Sequence, residues 1–112
     1  MKTHELRILP RFFRAILAGD KTFEVRKDDR GFRRYDTLIL KEWDDKTLKY
    51  TGKAVKAEVS YILYLNEYRI NPEYVVMGFK GFDVLPESMP DRPALTSEGV
   101  SPTAGVSPEG IA

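Results

Sequence analysis

The sequence predicts a small α+β domain, mostly β: an open β-barrel of five or six short strands with one early helix packed across an end. Three observations carry this. Apolar and polar residues alternate in short runs bounded by turn residues, the pattern of half-buried strands. Only one segment, near the N-terminus, spaces its apolar residues at a helical period. Helical segments are also too few to cover both faces of a parallel sheet, so a doubly wound architecture is not expected.

Taken in order, His4-Glu5-Leu6-Arg7-Ile8-Leu9 alternates and places His4, Leu6 and Ile8 on one face of a first strand. Pro10 suits the first turn of a helix, where a missing N–H costs nothing. Phe12, Phe13, Ile16 and Leu17 follow at helical spacing as one apolar stripe, and Gly19 fits the position just past the helix end. Residues 22–27 form the second strand. Asp28-Asp29-Arg30-Gly31 is a turn signal. Asp36–Trp43 alternates again, with Leu38 and Leu40 on one side and Ile39 and Trp43 on the other, and leads to a polar hairpin tip at Asp44-Asp45-Lys46. A short return over Lys49–Thr51 precedes Gly52. Lys53–Leu63 reads as the clearest strand, with Val55, Ala57, Val59, Tyr61 and Leu63 on one side. A loop or helical turn over Asn66–Glu73 leads into a last strand, Tyr74–Phe82.

Composition divides the 112 residues in two. Residues 1–85 hold all six Phe, all six Tyr and the one Trp, enough aromatic bulk for a small core. Residues 86–112 are rich in Pro, Ser, Gly, Ala and Thr, and Gly-Val-Ser-Pro at 99–102 recurs at 105–108. Such a segment buries too little apolar surface to offset the entropy of ordering it, and is expected to be a flexible tail. Residues 1–85 carry 17 Lys and Arg against 13 Asp and Glu, whereas the tail carries one against four. A mildly basic body is compatible with a nucleic-acid partner without specifying one. The absence of cysteine excludes disulfides, thiolate metal sites and cysteine catalysis. With one histidine, no metal site is expected, and no cofactor is implied. No apolar run approaches the roughly 18 residues of a membrane span, so no membrane partner and a cytoplasmic location are expected.

Chemistry concentrates in Gly19-Asp20-Lys21-Thr22-Phe23-Glu24-Val25-Arg26. Strand alternation puts Thr22, Glu24 and Arg26 on one side and Phe23 and Val25 on the other. Lys21, just before the strand, reaches the same side as Glu24. Two readings follow. One is a solvated strand face whose Glu24–Arg26 pair contributes at most about 1 kcal/mol. The other is a ligand cleft. In it the Arg26 fork and Lys21 point charge suit phosphate, and Glu24 accepts from an exocyclic amine or a ribose hydroxyl. Arg30, Arg33 and Arg34 interleave with Phe32 and Tyr35, as single-stranded RNA would require or as a wet loop over packed rings would show. His4 reads as a half-buried histidine, Trp43 and Tyr50 as packing residues at an edge, and Asp36 as a turn residue.

The order strand, helix, G-x-K-x-x-E-x-R strand, then a strand opening near Tyr35-Asp36, resembles the ASCH family of the PUA-like superfamily. The runs His4–Pro10, Phe23–Lys27, Asp29-Arg30, Leu38–Glu42 and Val75–Phe79 resemble, more narrowly, an uncharacterised bacterial and phage group of ASCH-like domains. The resemblance covers residues 2–80 and implies a PUA-like pseudo-barrel with a cleft between helix and barrel, lined by Lys21, Glu24 and Arg26. It implies RNA or nucleotide as partner; Arg30 and Arg33 of the basic run are expected as further contacts, and the domain is read as a binder with no catalysis of its own. One alternative is a small amidohydrolase acting on a modified nucleoside such as N4-acetylcytidine, with Lys21 and Glu24 as its candidates. In that branch, however, a threonine stands where this chain has Glu24. Thr22, two residues back, would be displaced by roughly 6.5 Å, beyond the roughly 3 Å that a nucleophile and its base require. A further alternative is a phage-type protein-interaction module.

Overall fold

The structure, a computed structural model, describes residues 1–89. In chain order the elements are β1 (Thr3–Ile8), α1 (Pro10–Leu17), β2 (Phe23–Lys27), β3 (Thr37–Asp44), β4 (Lys49–Glu58), β5 (Tyr61–Tyr64), a 3-10 turn (Leu65–Tyr68), β6 (Tyr74–Gly78) and β7 (Asp83–Val84). The domain is α+β and mostly β, as its patterning requires. Its strands form two separate sheets, ordered β1-β3-β4-β7 and β2-β6-β5, and are not closed into a barrel. In the first sheet β1 runs parallel to β3 and every other pair is antiparallel; the second is wholly antiparallel.

The division has a local cause. The strand expected over 53–63 breaks at Val59-Ser60. The Val59 N–H donates to the Asp36 carbonyl at 2.9 Å, and the next N–H, of Ser60, donates to the Gly78 carbonyl at 2.8 Å. Consecutive residues thus bond to different sheets, and the chain changes sheet within one peptide. Side-chain phase changes with it. Val55, Ala57 and Val59 are buried, but beyond the break Tyr61 is exposed, and Ile62 and Tyr64 face the core instead. The separate return over residues 49–51 is also revised, because β4 runs unbroken from Lys49 through Gly52 to Glu58. The last strand is shorter than its apolar run, ending at Gly78, and Asp83–Val84 pairs instead with β4.

The helix begins where Leu9 is still extended, and its carbonyl accepts from the Phe12 and Phe13 N–H groups. Pro10 occupies the first turn. Phe13 and Ile16 are buried and Phe12 packs on the core margin, while Leu17 is exposed, so the apolar stripe is narrower than its sequence spacing. Gly19 leaves the helix at φ +83°, a left-handed conformation that glycine adopts without strain. That turn lets the Asp20 and Lys21 N–H groups both donate to the Ala15 carbonyl, at 3.0 and 3.1 Å, and fixes where Lys21 stands.

His4, Leu6 and Ile8 of β1 face inward with Leu38, Leu40, Val55, Ala57, Val75, Met77, Phe13, Ile16, Phe32 and Phe79. Phe32 is thus a core residue, whereas Tyr35 is exposed at φ +76°. Among the described residues, no helix is long and apolar enough to cross a membrane. No group of three or more His, Cys, Asp or Glu side chains among them is arranged to hold a metal ion. The flexible-tail reading falls mainly on residues 90–112, outside the described ones; at its start, the Ser88 N–H donates to the Gly52 carbonyl at 2.8 Å.

Gly52 lies at φ +98°, and a Cβ there would stand 2.2 Å from the Ser88 carbonyl oxygen. Gly52→Ala is therefore expected to destabilise the domain by about 1–3 kcal/mol and to release the 85–88 segment from β4. Gly81→Ala, into open space at ordinary φ, should stay within about 0.5 kcal/mol of wild type in the same denaturant titration.

Candidate functional site

The inner face of β2 carries the charged residues and its outer face the apolar ones. Glu24 has no solvent exposure and Arg26 is 8% exposed, while Phe23 is 43% exposed. A hydrophobic-inside rule would orient this strand the other way, because taking a lone carboxylate out of water is costly. It faces inward because both its oxygens meet cations. Lys21 Nζ donates to Glu24 Oε1 at 3.0 Å, and Arg26 Nε to Glu24 Oε2 at 2.8 Å. Lys21, itself 9% exposed, also donates to the Phe23 carbonyl at 2.9 Å. Its Nζ stands 5.3 and 5.0 Å from the ring centres of Phe12 and Phe23. The solvated ion pair that spacing alone allows is therefore not what forms: the three side chains make one buried cluster of two cations on one carboxylate.

Arg26 also ties the sheets together. Its Nη2 donates to the Arg7 carbonyl, and Arg30 Nη1 donates to the Glu5 carbonyl at 2.9 Å. Glu5 and Arg7 lie two residues apart on β1, so their carbonyls point to the same side of that edge strand. Two guanidinium groups thus occupy an edge that would otherwise present bare acceptors. Arg34 acts similarly at the sheet change, where its Nε donates to the Ser60 carbonyl at 2.7 Å. Arg33 differs. Its backbone N–H donates to Asp36, but its exposed guanidinium has no hydrogen-bond or ion-pair partner among the described residues.

The structure therefore brings Lys21, Glu24 and Arg26 into direct contact. Arg30 stands on the same β1 edge, and Arg33 stands apart on the loop before β3. Sequence spacing did not single out Glu42. It is 8% exposed, and its Oε1 accepts from Thr51 Oγ1 at 2.8 Å. Glu42 is paired with Ile8, the residue after the carbonyl that Arg26 holds. The available signal was its phase, since it continues the inward series Leu38, Leu40 on β3. On the outer face of that sheet, the Arg7 guanidinium lies 4.0 Å over the Trp43 ring, and its Nε is buried without a partner. A separate cavity of about 620 Å³ is lined by Lys56, Lys80, Glu58, Asp83 and Ser60 among others. It contains none of the cluster residues, and its charges balance.

Residues 3–79 match the family described as a domain of unknown function, DUF3850. The chain belongs to this family. It is also 34% identical, over 85 residues, to the "uncharacterized 12.9 kDa protein in GpA 3'region" of Escherichia phage P2, covering 76% of this chain and 74% of that protein. The DUF3850 span includes β1 to β6 and the whole charged cluster, and ends before β7.

Asp36 is a third buried carboxylate, and its role is structural. It accepts from the Lys2 N–H at 2.9 Å, from the Arg33 N–H at 3.0 Å and from His4 Nε2 at 2.8 Å, while Phe32 packs edge-on against the His4 ring. Burial pushes the Asp36 carboxyl up, but these donors, the Lys2 N–H foremost, outweigh it and hold the group below the ordinary aspartate range. A carboxyl that titrates lower when folded contributes stability above its unfolded value, about 3.9. That contribution is lost as pH falls through the folded value. Thermal melts below about pH 4 should therefore show a steeper acid limb for wild type than for Asp36→Asn. The variant should be destabilised by about 1–3 kcal/mol at neutral pH, because its amide keeps one acceptor oxygen and turns an NH2 toward the donors that met the other.

Proposed function

We propose that this domain binds RNA or a free nucleotide, with a phosphate received at the Lys21–Arg26 cluster beside α1. We also propose that its two-sheet body is a variant of the PUA-like open barrel of ASCH domains. The observation that carries the binding reading is the charge of the cluster. Two cations share one carboxylate in a nine-tenths buried site, which leaves one positive charge in excess. Glu24 orients both cationic heads from below. Arg26 keeps Nη1 without an acceptor among the described residues, so donor capacity remains for an anion. In this reading Lys21 and Arg26 touch the ligand, Glu24 is a positioning residue, and Arg30 stiffens the β1 edge alongside. Arg33, free and exposed, is the outlying phosphate contact.

Binding is preferred over the amidohydrolase alternative on geometry. Lys21 Nζ is committed to Glu24 and to a backbone carbonyl, not to a hydroxyl it would activate. Thr22 is exposed, whereas Glu24 and Arg26 face inward.

The test is titration of the full chain with a mixed tRNA and single-stranded RNA pool at two salt concentrations. Wild type should bind, and more weakly at the higher salt. Arg33→Ala should weaken binding evenly and reduce the salt slope by about 1. Lys21→Met, which keeps the stem against Phe12, should lose at least about tenfold in affinity if it removes one phosphate contact. No binding by wild type at the lower salt would contradict the proposal.

A further inference from the structure

The second sheet turns an aromatic face outward. Across its three strands Phe23 is paired with Gly78, and Gly78 with Tyr61, so the three residues form one row. Phe23 and Tyr61 are 43% and 62% exposed. With strands about 4.8 Å apart, their backbones stand roughly 10 Å from each other. Gly78 leaves the space between them open: a Cβ there would find its nearest atoms at 3.9 and 4.0 Å, both backbone carbonyl oxygens. Behind this row lie Val25, Val76 and Leu63, also in register and half-buried.

Size and charge identify the occupant. Three strands of about five residues present roughly 240 Å², well short of the roughly 800 Å² per partner of a stable protein interface. The area suits flat rings instead. Cations stand beside two of the three positions: exposed Lys80 lies two residues past Gly78, and Arg34 is held on the Ser60 carbonyl next to Tyr61. Two carboxylates, Glu58 and Asp83, line the adjacent cavity, where Lys56 and Lys80 balance them. Exposed rings set among cations suit stacked bases with phosphates alongside.

We infer that this face is a stacking platform for single-stranded RNA, with neighbouring bases on Phe23 and Tyr61 and the connecting backbone crossing Gly78. The choice of RNA rests on the function proposed above; the platform itself rests on the register and exposure of this sheet. It is a different surface from the buried cluster, on the opposite face of β2.

Fluorescence anisotropy of the full chain with a labelled oligouridine of about 12 nucleotides tests it. Tyr61→Ala should weaken binding by about fivefold to a hundredfold, and Tyr61→Phe, which keeps the ring, should not. Gly78→Val, which stands a side chain between the rings without a backbone clash, should weaken binding comparably. Wild-type affinity in both Tyr61→Ala and Gly78→Val, with melting temperatures unchanged, overturns the platform and leaves the cluster reading standing. Loss in these two variants with full binding by Lys21→Met supports the platform and removes the cluster as the RNA site. Equal affinity for a DNA strand of matching sequence overturns the assignment to RNA.

Discussion

A carboxylate removed from water must be met by donors on both oxygens, and much of this domain is arranged around meeting that requirement at Glu24. One oxygen takes Lys21 and the other Arg26. Lys21 can arrive only because Gly19 turns the chain sharply off α1, so the geometry of the helix end is tied to the charge on the next strand. Arg26 continues past the carboxylate to the Arg7 carbonyl on the edge of the other sheet. A single buried charge thereby couples the helix end, β2 and β1. Breaking such an arrangement from one side is expensive, because a charge is then left without its partner.

The same device recurs on a smaller scale. Asp36 gathers the N-terminal strand, the loop before β3 and His4 onto one carboxylate, and Asp44 accepts from the Lys46 and Thr47 N–H groups at the hairpin tip. Where a barrel would close its seam with backbone pairing, the β1 edge here receives arginine side chains. The consequence for function is that most of the basic residues near the cluster are already engaged in holding the fold. Arg33 and the outward rings of the second sheet remain as groups whose exposure the fold does not explain.

Much of the architecture was legible. Alternation located β1, β2 and β3. Pro10 and Gly19 bracketed the helix, and the acidic pair at 44–45 marked the hairpin. The division of the long strand at Val59-Ser60 was not legible, because both halves alternate and the break is set by partners distant in sequence, Asp36 and Gly78. The inward face of β2 was hidden for a different reason. Phe23 and Val25 are the apolar residues of that strand, and only the meeting of Lys21, Glu24 and Arg26 reverses the usual preference. The motif could thus be singled out from its residue types, but its burial could not be read from them. Glu42 shows the converse, since its phase with Leu38 and Leu40 pointed inward while its charge argued against it.

The most direct test of the central claim is a double-mutant cycle on stability between Glu24→Gln and Arg26→Met, with unfolding followed in denaturant. If the buried cluster is one unit, each single substitution costs about 3 kcal/mol or more, and the double variant is less destabilised than the sum by at least about 2 kcal/mol. Two small effects that add to within about 0.5 kcal/mol would show that the pair behaves as a solvated surface contact. That result would contradict the account.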